Sequence, residues 1–411
     1  MPVEFHHRQF DNGLTLIAET NPDAHTCAVG FFVSTGARDE TADVMGVSHF
    51  LEHMMFKGTD RRTADDVNRE FDEIGANYNA FTSHEETVYY AHVLPEFLPR
   101  AVDLLTDMLR PALREDDFTM EKNVILEEIG MYDDRPNWRL NDALMEKYFR
   151  GGSLGFRVLG TNDSIKALTA AQMRRYFEQR YASDNIIIAA SGPIDFEPFA
   201  DEIARLTSHW QPSGAVRAYA PQTPVTQDLT LRDPKLSRHY VSMMWPGPSA
   251  QDERRYAAKV LVDVLGDSSG SRLYWALVDP GVAEEADASF MPMDQAGAYH
   301  GFACCDPARA EEVEATLAKV IAGFGGELDD AEIERARNKI ATAATLSGER
   351  PLGRMMALGG QWLYLGEYRS LEEELQHLMR VTRQDVLDLL DAYPFENATT
   401  MRLTPAPAPG S

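Results

Sequence analysis

Cysteine is scarce in this chain: only Cys27, Cys304 and Cys305 occur among 411 residues. With so few, and with no CxxC spacing, neither a disulfide framework nor a cysteine-built zinc knuckle is available. Positive charge is scarce too. Lys and Arg number 39 against 65 Asp and Glu, giving a net charge of −26. Binding to a phosphate backbone demands a basic surface, so a nucleic-acid partner is excluded. An acidic field serves solubility first and the steering of basic peptides second. No apolar run reaches the roughly 18 residues of a membrane helix. The opening "MPVEFHHRQFDNGLTLIAET" also lacks the basic-then-apolar order of a secretion signal. Together these absences lead to the expectation of a cytoplasmic protein, reduced and without a membrane partner.

What is present divides naturally into two. At about 150 residues per domain, the length suggests two or three. The N-terminal stretch reads as strand–turn–strand about Asp11-Asn12-Gly13. "HTCAVGFFVSTGARDE" reads as a buried strand and a turn, and helical periodicity runs from Asp43 to Lys57, with Gly58 as its C-cap. Residues 63–74 form a second predicted helix, with Thr63 as N-cap and Asp66 at the capping-box position. "ANYNAFTSHEETVYYAHVL" predicts one or two strands, residues 95–151 are helical, and "SDNIIIAASGPID" is a buried strand. The Pro-, Gly- and Ala-rich "QPSGAVRAYAPQTP" then reads as a linker. After it the order restarts. "HYVSMMWPGPSAQDE" echoes the earlier strand and turn, and "RYAAKVLVDVLGD" falls where the first histidine-bearing helix lay. The expected architecture is α+β, in two related domains that each pack a mainly antiparallel sheet with helices. The expected boundaries are 1–212, a linker at 213–224, 225–404, and a disordered tail at 405–411.

Chemistry concentrates in "GVSHFLEHMMFKGT", residues 46–59. At 3.6 residues per turn, His49 and His53 project from one helix face and can take two corners of a tetrahedral zinc. Glu52 stands on the adjoining edge, where it can take the proton of an attacking water without being a ligand. This HxxEH order reverses HExxH and is the inverzincin pattern. A third ligand is required, and "EKNVILEEIG" offers Glu121, Glu127 and Glu128. Glu121 and Glu128 are two turns apart and share a face, from which Glu127 points about 100° away. With Val124, Ile125 and Ile129 packing that helix beside the first, Glu128 is the expected ligand and Glu121 the residue that supports it. Two His and a Glu also occur at helical spacing by chance. Here they interrupt an apolar run, where burying them without a ligand would be costly.

Five stretches together, "GVSHFLEHMMFKGT", "NAFTSHEETVYYAHVLPE", "EKNVILEEIGMYDDRP", "LGTNDSIKALT" and "YFEQRYASDNIIIAASGPID", resemble the pitrilysin-type zinc peptidases. The resemblance is strongest to the short-chain branch of mitochondrial processing peptidase subunits and bacterial processing-peptidase-like proteins. It covers the first half in order, and the second half as a pattern. It implies zinc held by His49, His53 and Glu128, Glu52 as general base, and Glu121 as supporting acid. It also implies two homologous α/β-sandwich domains, with the metal site in the first, and pairing with a second such chain.

The same resemblance makes Asn79, Ala80, Phe81 and Thr82 part of an edge strand that pairs with an extended peptide substrate. A plain sheet strand with Phe81 in the core is the equal alternative from sequence. The second half departs from the family. Catalytically complete members carry an Arg and, seven residues on, a Tyr that grip substrate and stabilise the oxyanion. Val278 and Glu284 stand at those places, one residue closer together, while Arg272 and Tyr274 fall at the wrong spacing. A zinc metalloendopeptidase acting on short or unfolded peptides is the expected function, with a partner chain supplying the missing pair. A homodimer is one alternative, and a non-hydrolytic structural or peptide-binding subunit is another.

Overall fold

The computed structural model describes residues 3–150, 152–219 and 225–406. In chain order the elements begin with strands β1 (Glu4–Gln9), β2 (Thr15–Thr20) and β3 (Cys27–Val33). Helices α1 (Val47–Met55) and α2 (Ala64–Glu73) precede β4 (Asn77–Thr82) and β5 (Thr87–Val93). Next come α3 (Leu98–Met108), α4 (Glu115–Asp133), α5 (Pro136–Tyr148), α6 (Asn162–Ala167) and α7 (Ala170–Arg180). Strand β6 (Ile186–Gly192) and α8 (Phe196–Thr207) close the first half. The second half opens with β7 (Gln227–Asp233), β8 (His239–Pro246) and α9 (Arg255–Gly266), then β9 (Glu285–Met293) and β10 (Ala296–Cys305). Helices α10 (Ala310–Glu327), α11 (Asp330–Gly348), α12 (Pro351–Leu365), α13 (Leu371–Met379) and α14 (Arg383–Ala392) lead to β11 (Thr399–Pro405).

Two sheets result. One has the order β1-β2-β6-β3-β5-β4, the other β7-β11-β8-β10-β9. Each is antiparallel except for one pairing, β2 with β6 in the first and β11 with β7 in the second. The expected α+β class with two mainly antiparallel sheets is therefore what the chain forms. The Asp11–Gly13 turn is present, with Gly13 at φ +85°, and so is the capping box of Thr63 and Asp66 on α2.

The chain divides into two compact units, and neither is contiguous in sequence. The first comprises residues 1–130, 156–218 and 345–368, and the second 131–155, 219–344 and 369–411. The expected unbroken spans 1–212 and 225–404 thus exchange a helix each. Within the first unit, α12 buries Met355 and Leu358 against Ile17, Ala28, Phe32 and Val88. The approach is close: a Cβ on Gly359 would sit 2.2 Å from the Phe32 ring. Within the second, α5 buries Leu140, Leu144, Met145 and Tyr148 against Met244, Phe302, Met401 and Leu403. A sheet with two apolar faces needs a cover on each, and local sequence does not say which helix supplies it.

Three smaller expectations also shift. Residues 211–218 of the linker are tied to the first unit, and Tyr219 belongs to the second: Arg217 pairs with the fully buried side chain of Asp39 at 2.9 Å, and Ser213 Oγ donates to the Gln179 carbonyl at 2.7 Å. Residues 220–224 lie outside the described residues. Pro405, expected in the tail, ends β11, and residues 407–411 lie outside the described residues. The α1 helix starts at Val47 rather than Asp43, because Gly46 has φ +92° and a left-handed residue cannot continue a right-handed helix.

Candidate metal centre

Helix α1 is short, so its placement depends on what holds its ends and its apolar stripe. Phe50, Leu51, Met54 and Met55 are buried, and fix one face against the core. At the N-terminus, a distant carboxylate does the capping. Glu40 accepts from the Gly46 and Ser48 N–H groups, both at 2.7 Å. Ser48 Oγ meets the Tyr176 hydroxyl at 2.8 Å, and that hydroxyl also meets Thr35 Oγ1 at 2.8 Å. The remaining edge of the helix carries His49, Glu52 and His53.

Helix α4 brings the acids. Its buried residues are Phe118, Glu121, Ile125 and Ile129. Val124, expected in that stripe, is 43% exposed, and Phe118 stacks on Phe50 in its stead, with ring centroids 4.8 Å apart. Glu127 points to solvent, while Glu128 faces α1. Glu128 Oε2 lies 3.7 Å from His49 Nε2 and 3.6 Å from His53 Nε2. Among the described residues, these three side chains are the sole set of metal-donor atoms that all lie within 4.8 Å of one another.

The fit to a small divalent cation rests on atoms that are otherwise unexplained. Glu128 Oε2 is buried without a hydrogen-bond partner, although carboxylate oxygens normally accept several. It sits almost equidistant from two imidazole nitrogens. Donors 2.0–2.1 Å from a tetrahedral zinc stand about 3.3–3.4 Å from each other, close to the spacing here. Burial pushes His49 down to about 3, with His53 adding to the shift, so its imidazole is neutral and keeps a lone pair. Burial pushes Glu128 upward, with the charge of Glu121 adding to the rise and His53 opposing it.

Around this trio stands a second layer of contacts. His53 Nδ1 donates to Glu121 Oε1 at 2.8 Å, which leaves Nε2 as the acceptor facing Glu128. Lys57 Nζ donates to the other oxygen of Glu121 at 2.6 Å. Burial opposes ionisation of Glu121, but these two donors outweigh it and hold the carboxyl below its usual range. Glu52 is raised by burial, although Thr82 Oγ1 donates to its Oε2 at 2.7 Å. Burial works against a charged His53, yet its carboxylate neighbours, Glu121 foremost, raise it overall. Lys57 was not singled out in sequence, although its place four residues after His53 was the available signal. The hydroxyl of Thr82 was missed as a partner of Glu52, since nothing local relates positions 30 residues apart.

Strand β4 borders the site as the free edge of its sheet. Asn79 and Phe81 are exposed, Phe81 by 37%, and Ala80 is buried. Phe81 is therefore not the core residue of the plain-strand alternative. The Ala80 N–H donates to Asn79 Oδ1 at 2.9 Å rather than to a neighbouring strand.

In the second unit, Arg272 is committed to structure: its guanidinium clamps Glu332 at 2.8 and 2.7 Å and the Phe324 carbonyl at 2.9 Å. Val278 carries no polar group, and Glu284 is exposed and paired with Arg238.

Family models place this chain. Residues 15–162 match the insulinase model of peptidase family M16, and residues 167–340 match the M16 inactive domain. The chain belongs to peptidase family M16. It is 33% identical to an uncharacterized zinc protease of Mycobacterium tuberculosis over 385 residues, 91% of this chain and 87% of that one. A zinc protease of Bacillus subtilis, YmxG, is 30% identical over 91% of this chain and 92% of its own length. Among solved structures, a protease from Helicobacter pylori superposes with a TM-score of 0.91 at 19% identity, covering 98% of this chain and all of that one. An M16-like peptidase from Alicyclobacillus acidocaldarius gives 0.85 at 22% identity, covering 99% of both chains. These last two show a shared M16 fold. The helix with His49, Glu52 and His53 lies within the segment that matches the first model, and the segment after it matches the inactive-domain model.

Proposed function

We propose that this M16 chain is the zinc-bearing component of a metalloendopeptidase that hydrolyses short or unfolded peptides. The observation that carries the reading is the buried, unpartnered Glu128 Oε2, poised between His49 Nε2 and His53 Nε2 with Glu52 beside them. His49, His53 and Glu128 would hold the zinc, which when bound polarises a carbonyl and makes water a better nucleophile at neutral pH. Glu52 takes the proton of the attacking water and returns it to the leaving amine. Thr82 holds that carboxylate in place, and its raised affinity for protons suits a group that must both accept and release one. Glu121, fixed by Lys57, orients His53. An extended peptide would add to the free edge of β4 at Asn79–Thr82, displacing Asn79 from the Ala80 N–H.

The oxyanion side is a partner's contribution in this reading. Val278 offers no donor, Glu284 is an acceptor, and Arg272 is occupied. A second family chain would supply the Arg–Tyr pair, in a heterodimer. The three free buried cysteines fit a reducing, cytoplasmic setting. A Glu52→Gln substitution tests the core claim. It should leave zinc content unchanged while lowering hydrolysis of an unstructured peptide by about 10²–10⁴-fold. Unchanged hydrolysis would remove this site from catalysis. Robust turnover by the isolated wild-type chain would remove the partner.

A further inference from the structure

The second unit holds a cavity of about 270 Å³ for which the peptidase reading has no use. It opens where α5 meets the face of the sheet formed by β8, β10 and β9. The register explains its lining. Phe302 of β10 pairs with Ser242 of β8 and with Asp287 of β9. Side chains two apart share a face, so Ser242, His300, Glu285 and Asp287 all emerge on the side that α5 covers with Trp138 and Asn141.

Three features of this lining call for a ligand. The half-buried Asp287 and the exposed Glu285 at the cavity rim have neither an ion pair nor a hydrogen bond among the described residues, in contrast to two acids elsewhere in the unit. Glu332 is clamped by Arg272, and Glu314 by Arg402 at 2.7 Å. Burial, with the charge of Glu285 beside it, pushes Asp287 up to about 6. His300 is the second feature. Its Nε2 is 2.6 Å from Ser242 Oγ, and Nδ1 has no hydrogen-bond partner among the described residues. Burial lowers this imidazole to about 4, so near neutral pH it is uncharged and has an unused ring nitrogen at the cavity. Third, the Trp138 indole on the wall meets the Tyr132 ring edge-to-face, with centroids 4.9 Å apart, and is still 49% exposed.

A bare metal ion does not suit this set, since no three donor atoms here lie within 4.8 Å of one another. The groups are spread as a larger, delocalised charge would require. We infer that this cavity binds an organic cation, a guanidinium or primary ammonium group. Glu285 and Asp287 balance its charge, His300 and Asn141 take up its N–H bonds, and Trp138 lies against its face. The group can be borne by a basic side chain of a peptide or by a free amine. The site rests on residues of the second unit and does not depend on zinc or on hydrolysis.

The test is a binding titration of the full chain by calorimetry, with agmatine, N-acetyl-arginine amide and the uncharged N-acetyl-citrulline amide as probes. Saturable binding of the two cations is expected, with citrulline amide at least tenfold weaker. Glu285→Gln and Asp287→Asn should each weaken binding about tenfold, and together abolish it. Trp138→Phe should retain most of it and Trp138→Ala should not. Tighter binding of the arginine amide than of agmatine would assign the site to peptide side chains, and the reverse order to free amines. Thermal melts identify any variant that has lost its fold, and for such a variant the Trp138 pair supplies the answer. Equal binding of the citrulline amide, or no difference between wild type and the doubly substituted chain, would overturn the site. Loss of hydrolysis in Glu52→Gln bears only on the zinc centre, so the two readings fail separately.

Discussion

Helices α1 and α9 are built to one plan and do different things. In α1 the buried positions are Phe50, Leu51, Met54 and Met55, and in α9 Val260, Leu261, Val264 and Leu265 occupy the same steps. Each helix lies beside the edge strand of its sheet, β4 for one and β9 for the other. On the remaining edge, His49, Glu52 and His53 are matched by Lys259, Val262 and Asp263. The facing groups differ as well. Where α4 offers Glu128 to the histidines, α11 offers Ile340 to a cavity of about 330 Å³ lined by Lys259, Val262 and Asp263. One stripe of a helix therefore specifies the fold, and the other is free to carry chemistry or lose it.

The comparison breaks most sharply at the third ligand. Glu128→Ala should drop zinc from about one per chain to near zero by metal analysis, and abolish hydrolysis with it, because two imidazoles alone make a weak site. Next in size is the support behind His53. Lys57→Met leaves Glu121 with one donor, and zinc affinity measured by chelator competition should fall about 10- to 100-fold. Retained affinity would mean that Glu121 is held by His53 alone. Thr82→Val removes the hydrogen bond to Glu52, and kcat should fall about tenfold with zinc content unchanged. An effect on KM alone would place Thr82 with the substrate instead. The smallest expected change comes from the opposite direction. Writing Lys259→His, Val262→Glu and Asp263→His into α9 should yield no second zinc, since Ile340 cannot replace a carboxylate and Asp267, the remaining acid at that cavity, is paired with Lys339. A second equivalent of bound metal would show that helix spacing alone is enough.

Much of the first unit was legible because its signals are local. The His49–Glu52–His53 spacing, the two-turn separation of Glu121 and Glu128, the Thr63 capping box and the Asp11–Gly13 turn each depend on a few neighbouring residues. Two errors came from reading local pattern too far. The α1 periodicity continued through Asp43, but Gly46 breaks it, and Val124 looked apolar enough for the stripe that Phe118 fills. The cavity under α5 left no trace in sequence, since Trp138, Ser242, Asp287 and His300 come from four elements brought together by strand register.

By itself the sequence determined the two sheets with their helices, the histidine face of α1 and the absence of that face from α9, since the 3.6 and 2.0 residue periods are properties of short segments. Only the tertiary structure decided that Glu40 caps α1, that Lys57 and Thr82 secure Glu121 and Glu52, and that α5 and α12 each cover the sheet built mainly from the other half of the chain. Those are choices among many apolar and polar surfaces of similar local character. They are settled by which pairing buries the most surface and leaves the fewest polar groups unpaired, a property of the whole folded chain.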